Sequence, residues 1–476
     1  MTLSLRIFSI QLTVFFAFTL SAQTKEITIL AVNDMHASID RFPKFIALVD
    51  SIRAIHPDLL LFAAGDNRTG NPVNDMHPEP SSPMVALMNR AGFNLSTLGN
   101  HEFDGQIEGL RSVLNRSTFR HVAANMFAHD SLRLHVEPYK FFEIDNIRIA
   151  VLGLIQMGDN GYPDAHPNNM GPITFQAPLQ AAEKYSWLRN QSDLFVILMH
   201  EGYDEGIQLS NQYPYADLII SGHSHTPVMG TEIYNGVLLT QAESHLKYIT
   251  QITIQLTDGK VTKKESRLIN VNTTSLVDNN VQAMVDEYND NEFLKRALTE
   301  ALTDFETKEE IGSLLCDALI AETGADIALQ NPGGVRIPTL PKGPLTMSDV
   351  YRIDPFGNEV VEYVLTGKEV LRLIEAAYYG DIGYGPPFVG GITYEMELDN
   401  EGRVKNLQVK IDNGGKFNEQ KTYRVVMNSY LATICQFEKS DPGKNLFVKA
   451  SDVTISYLEK QAAVDYLGVK RVTVKN

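Results

Sequence analysis

Five short apolar runs in the first half of the chain each stop at residues able to hold a metal ion, and this pattern constrains the fold most. Ile27 to Val32 runs into Asn33-Asp34-Met35-His36, Leu59 to Ala64 into Gly65-Asp66, and Leu95 to Leu98 into Gly99-Asn100-His101. Leu194 to Met199 stops at His200, and Leu218 to Ile220 leads into Ser221-Gly222-His223-Ser224-His225. Runs this short and apolar read as buried strands. The helical patterns Phe42 to Ile55 and Pro83 to Ala91 separate the early ones. Strands alternating with helices make an α/β sheet, and residues at the strand ends then gather on one rim, where such folds place their sites.

The histidines divide the chain more sharply than any linker does. All twelve lie at or before His245, so imidazole or metal chemistry belongs to the first half. A length of 476 residues exceeds one ordinary core and calls for two domains. The polar stretch from Asn270 to Phe293 suits a connector with a helical middle. Beyond it come a helical pattern from Glu309 to Glu322, a turn at Asn331-Pro332-Gly333-Gly334, a second helical pattern from Gly367 to Tyr378, and alternating strands Gly391 to Leu398 and Val404 to Ile411. With 41 Lys+Arg against 58 Asp+Glu, the formal charge of −17 repels nucleic-acid polymers. Small anions remain admissible, because bound divalent cations can dominate the field inside one cleft.

Imidazole and carboxylate together suit Zn²⁺, Mn²⁺ or Fe²⁺ better than Ca²⁺, which prefers oxygen alone. The ordered set NDMH, GDN, GNHEFD, MH and GHSH resembles the calcineurin-like metallophosphoesterase superfamily, in its 5′-nucleotidase and UDP-sugar hydrolase branch. The resemblance implies two divalent cations: Asp34, His36 and His225 hold one, Asn100, His200 and His223 the other, and Asp66 bridges them. Two such ions about 3.5–4 Å apart lower the pKa of a bridging water and clamp the phosphoryl oxygens for in-line attack. His101 is implied to stand over the phosphoryl group as acid or charge stabiliser, with Asp104 orienting it. Ala37 replaces the Gly common after the first His, a small change. His245 reads as a cleft-rim or surface residue, and His56, His77, His121, His129, His135 and His166 read as unconnected with the site.

The second half resembles the same branch. Asn331 and Arg336 match its Asn-X-Gly-Gly-X-Arg turn, Phe356 and Asn358 its Pro-Phe-Gly-Asn segment, and Tyr430 the strand end that supplies a second aromatic. The resemblance implies a base held between Phe356 and Tyr430, with Asn358 at its edge and Arg336 on the phosphate. Two features depart from the pattern. Thr433-Ile434-Cys435-Gln436-Phe437 stands where the family commonly has Gly-Gly-Asp-Gly, and Phe305-Glu306-Thr307-Lys308 lacks the arginine often found ahead of the next helix.

The implied fold is α/β: an N-terminal metallophosphoesterase β-sandwich flanked by helices over 24–272, a connector over 273–300, and a C-terminal α/β substrate-binding domain over 301–476. Residues 1–22 carry Arg6, an apolar run from Ile7 to Leu20 and small or polar residues after it, the pattern of a secretory signal and too short to span a bilayer. The expected protein is thus exported, periplasmic or extracellular, without a transmembrane segment in its mature chain, and hydrolyses the phosphate ester of nucleotides. Alternatives using the same metals are a nucleotide diphosphatase, a cyclic-nucleotide phosphodiesterase or a phosphatase for another small metabolite. A non-catalytic nucleotide binder has no use for His101 and Asp104. Cys316 lies in an apolar helical pattern, and free thiols at Cys316 and Cys435 are expected.

Overall fold

The computed structural model describes residues 24–158, 160–380 and 385–475, so the expected signal segment lies outside it. Two sheets build the first half. In the seven-stranded sheet, Thr24–Val32 pairs with Leu60–Ala64, and Leu95–Thr97 and Arg120–Val122 continue the parallel order. In the six-stranded sheet, Ile147–Ile155, Leu194–His200, Leu218–Ile220 and Val237–Thr240 are also parallel. Parallel strands end on the same edge, so each sheet presents a row of strand C-termini.

Side-chain alternation explains the layering. Ile27, Ile29, Ala31, Leu60 and Phe62 of one sheet meet Ile149, Val151, Val196 and Leu198 of the other between the sheets. The intervening residues Leu30, Val32, Leu61 and Ala63 face outward against the helices Phe42–Arg53 and Ser82–Ala91. Ala150, Leu152, Phe195 and Ile197 face Pro178–Lys184 and Tyr203–Gln212 on the far side. Strands covered on both faces read as continuous apolar runs, the form seen in the sequence. The result is a sandwich of two sheets between two helical layers.

The helix Asn279–Asn289 in the polar connector packs back on the first half through Val281 and Val285, while Leu294 joins the core of the second half. That second half is built on a five-stranded sheet ordered Phe388–Gly390, Ile327–Gln330, Thr422–Asn428, Glu359–Thr366 and Lys444–Lys449. The helix Lys308–Thr323 opens with Thr307 capping the Glu310 amide and ends at Gly324 in the left-handed region. Cys316 and Cys435 are buried, and among the described residues neither forms a disulfide. Among the described residues no helix is long and apolar enough to cross a membrane.

Candidate metal centre and active site

The strand ends of both sheets converge, and all seven expected ligands meet there. Ligating atoms of Asp34, His36 and His225 lie within 4.8 Å of one another, as do those of Asp66, His200 and His223. Asp66 also lies within that range of His36 and His101, which puts its carboxylate between the two sets. Asn100 Oδ1 stands 3.2 Å from His200 Nε2 and 3.1 Å from His223 Nδ1. Asp34, His36, Asp66, His223 and His225 all adopt positive φ, between 45° and 80°. Non-glycine residues rarely do so, and strain of this kind persists where the surroundings enforce it.

Backbone carbonyls aim the imidazoles. His36 Nδ1 donates to Thr69 O at 3.0 Å and His200 Nδ1 to Ala64 O at 2.7 Å, which turns each Nε2 toward the site. Asn100 Nδ2 donates to Asp164 O, so its Oδ1 turns inward. Gly99 allows the close approach of two strand ends, since a Cβ there would sit 2.1 Å from Asp66 Oδ1.

Residues outside the expected set brace it. Glu102, in the GNHEFD run, is buried and accepts the amides of Gly99, Asp66 and Asn67, tying two ligand-bearing loops together. Burial, and then Asp66, push its carboxyl up to about 7. Asp75 accepts the amides of Thr69, Gly70 and Asn71 and so fixes the carbonyl that orients His36. Asp164 Oδ2 lies 3.6 Å from His223 Nε2. His245 is exposed, with its ring 5.1 Å from that of His36, at the rim.

The donor set fits divalent cations. Asp34 is fully buried, and its Oδ1 accepts no hydrogen bond although Nε2 of His225, His200 and His36 stand 3.3, 3.9 and 4.0 Å away. A buried carboxylate oxygen without a donor is costly unless a cation balances it. Burial opposes a charge on His200, yet Asp66 and Asp34 push its pKa up to about 10, a field that favours positive charge at this point.

His101 Nδ1 donates to Asp104 Oδ2 at 2.8 Å, and its Nε2 lies 3.8 Å from Asp66 Oδ2. Burial works against its charge, but Asp66 and Asp104 raise its pKa.

The second half closes the site from above. Ile327–Gln330 and Thr422–Asn428 are parallel and end together, which places Asn331 beside Tyr430. Glu359–Thr366 is antiparallel to Thr422–Asn428, with Val360 opposite Asn428, so Asn358 arrives at the same edge. These residues, with Arg336, Phe356, His101 and Asp104, line a cleft of about 800 Å³. The Phe356 ring stacks on His101 with centroids 5.8 Å apart. Arg336 Nη2 lies 3.5 Å from His36 Nε2, and among the described residues Arg336 makes no ion pair. Asn331 Oδ1 is taken by Asn428, which leaves its Nδ2 to donate. Asn358 Oδ1 accepts from Ser429. Where the family arginine is missing, Lys308 Nζ reaches the Pro332 carbonyl at 3.5 Å.

Residues 27–227 match the calcineurin-like phosphoesterase family, and residues 293–436 match the 5′-nucleotidase C-terminal domain. The chain thus joins a calcineurin-like phosphoesterase domain to a 5′-nucleotidase C-terminal domain. It is a metal-dependent phosphoesterase, as its relatives are. It is 26% identical to protein UshA of Yersinia enterocolitica over 481 residues, 86% of each chain, and 26% identical to a 5′-nucleotidase of Vibrio cholerae over 94% of this chain and 90% of that one. The fold matches a 5′-nucleotidase precursor from Thermus thermophilus with a TM-score of 0.82 at 24% identity, covering 95% of this chain and 100% of that one. A sulfate thiohydrolase, SoxB, from the same organism shares the fold at a TM-score of 0.76 and 16% identity, over 94% of this chain and 96% of that one. Fold alone therefore does not choose the substrate of this phosphoesterase.

His166 had no partner spacing in the sequence, yet it lines the cleft. Its reading as unconnected with the site is corrected here. Its place depends on a loop route that no local periodicity announces.

Proposed function

We propose that the protein is an exported two-metal phosphoesterase that cleaves the phosphate ester of nucleotides. The observation that carries this reading is the composition of one cleft: two sets of ligating atoms on buried and half-buried side chains, with two aromatic side chains and a guanidinium that makes no ion pair among the described residues around them. Asp34, His36 and His225 would hold one cation, Asn100, His200 and His223 the other, with Asp66 shared. When bound, two such ions supply Lewis-acid activation of water and stabilise charge on the phosphoryl group. The rest falls to the chain. Arg336 binds the phosphoryl oxygens, for which its planar fork is suited. His101 holds a proton at Nε2 for the departing oxygen while Asp104 steadies the imidazolium through Nδ1. Phe356 and Tyr430 offer π-faces to the base, each stack being worth about 1–3 kcal/mol, and Asn358 contacts the base edge.

Export rests on the apolar N-terminal run followed by small residues. The domain limits 24–272 and 301–476, joined by the connector, belong to the same reading. A panel of nucleoside monophosphates, nucleoside diphosphates, cyclic nucleotides and sugar phosphates tests the substrate. The expected outcome is highest kcat/KM on nucleoside 5′-monophosphates; turnover confined to esters without a base would overturn the assignment.

A further inference from the structure

Ahead of Thr174–Phe175, residues 160–173 form a loop that lines one wall of the cleft. Met170, Ala165 and Ile173 anchor it in the core beside Leu98 and Phe103. The Gly158 amide donates to Tyr162 O, Asp164 N to Gln156 Oε1, and Asn169 N to His166 O. The loop therefore presents its polar residues from a fixed base, and Asp164, His166 and Asn169 line the cleft together with Phe356, Asn358 and Tyr430.

The state of His166 follows from its hydrogen bond. Its Nδ1 accepts the Asn168 amide at 3.2 Å, so the neutral ring carries its proton on Nε2. Burial keeps the imidazole below its usual range, although Glu359 from the second half pulls the other way.

On the second-half side, the segment Thr433–Phe437 does not line the cleft. Ser429–Ile434 is helical, and Cys435 is buried in the core.

We propose that His166 is a specificity residue whose Nε2–H donates a hydrogen bond to the nucleoside leaving group held against Phe356 and Tyr430. The inference rests on the nucleotide reading above and deepens it. Nucleobases and ribose present ring nitrogens and oxygens as acceptors, while a nitrophenyl leaving group presents no comparable set at that position. The loop thus makes recognition a joint property of both halves of the chain.

The test compares AMP with 4-nitrophenyl phosphate in the metal-loaded wild type, His166→Ala and His166→Gln. In His166→Ala the ratio of kcat/KM for AMP to that for 4-nitrophenyl phosphate falls about tenfold, the scale of one net hydrogen bond. The fall lies in KM, and the Ki of adenosine against 4-nitrophenyl phosphate hydrolysis rises by a similar factor. His166→Gln, which keeps a donor, recovers most of the ratio. An unchanged ratio in His166→Ala, or equal losses on both substrates, overturns the assignment of His166 while the nucleotide reading stands. A wild type that cleaves 4-nitrophenyl phosphate but no nucleotide overturns both.

Discussion

Replacing Asp104 by Asn removes a charge from the His101 dyad and keeps its shape. Asp104 Oδ2 lies 2.8 Å from His101 Nδ1, and both side chains are about nine-tenths buried, so solvent screens the pair little. A hydrogen bond to a charged group in such a place is worth about 1.5–3 kcal/mol, and only the protonated ring feels the full amount. If the proton on Nε2 serves the departing oxygen, Asp104→Asn lowers kcat on AMP about ten- to a hundredfold. A nitrophenolate leaves without a proton, so the loss on 4-nitrophenyl phosphate is much smaller. Asp104 is not a ligand in this scheme, and the bound metal, measured by atomic emission, stays the same. Steady-state kinetics on both substrates decides the matter. Equal losses on AMP and 4-nitrophenyl phosphate, or a loss that tracks metal content, would refute leaving-group protonation by His101.

Gly99→Ala sets a Cβ 2.1 Å from Asp66 Oδ1 and 2.5 Å from its backbone nitrogen, so Asp66 must move. Misplacement on the scale of 1 Å costs about a hundredfold in turnover, with lower metal content by atomic emission; near-normal values of both would contradict the packing argument. Asp354, just before Pro355-Phe356, is buried and its carboxyl is pushed up by that burial from 3.8 to about 6. A raised folded-state value means that the buried acid favours the folded state only while protonated. That advantage is present at low pH and is lost as pH rises from about 4 through 6, at a cost of about 3 kcal/mol by pH 8. Asp354→Asn keeps the acceptor for the Phe356 amide and therefore raises Tm at pH 8 but not at pH 4; equal shifts at both would rule out the electrostatic cause.

Much of the centre was readable because its residues sit where strands stop. Strands buried on both faces leave continuous apolar runs, so Asp34, Asp66, Asn100, His200 and His223 stand out as abrupt breaks in them. The helices Phe42–Arg53 and Lys308–Thr323 follow their sequence patterns to within a residue or two at each end, aided in the second by the Thr307 cap and Gly324. The supporting shell was less legible. Glu102 lies inside a recognised run, but its three amide partners come from two loops that only the folded sheet brings together. Asp75 acts through backbone amides, and Asp164 through its own carbonyl and an imidazole edge, contacts that carry no residue-type signature. His166 reaches the cleft through a loop anchored by Met170 and Ile173, and no period in that loop sets its route. The Thr433–Phe437 departure was visible as a missing motif, while its cause, a helix that turns Cys435 into the core, is tertiary.

In the proposed reading, nucleotide cleavage requires two cations in this one cleft. The most direct measurement strips the protein with a chelator, restores Mn²⁺ or Zn²⁺ in steps, and follows AMP hydrolysis against bound metal. The expected outcome is no turnover in the stripped protein and full turnover at two equivalents per chain, with Asp34→Ala reaching neither two bound equivalents nor full turnover. AMP hydrolysis that persists in the chelator, or that saturates with one equivalent bound, would contradict it.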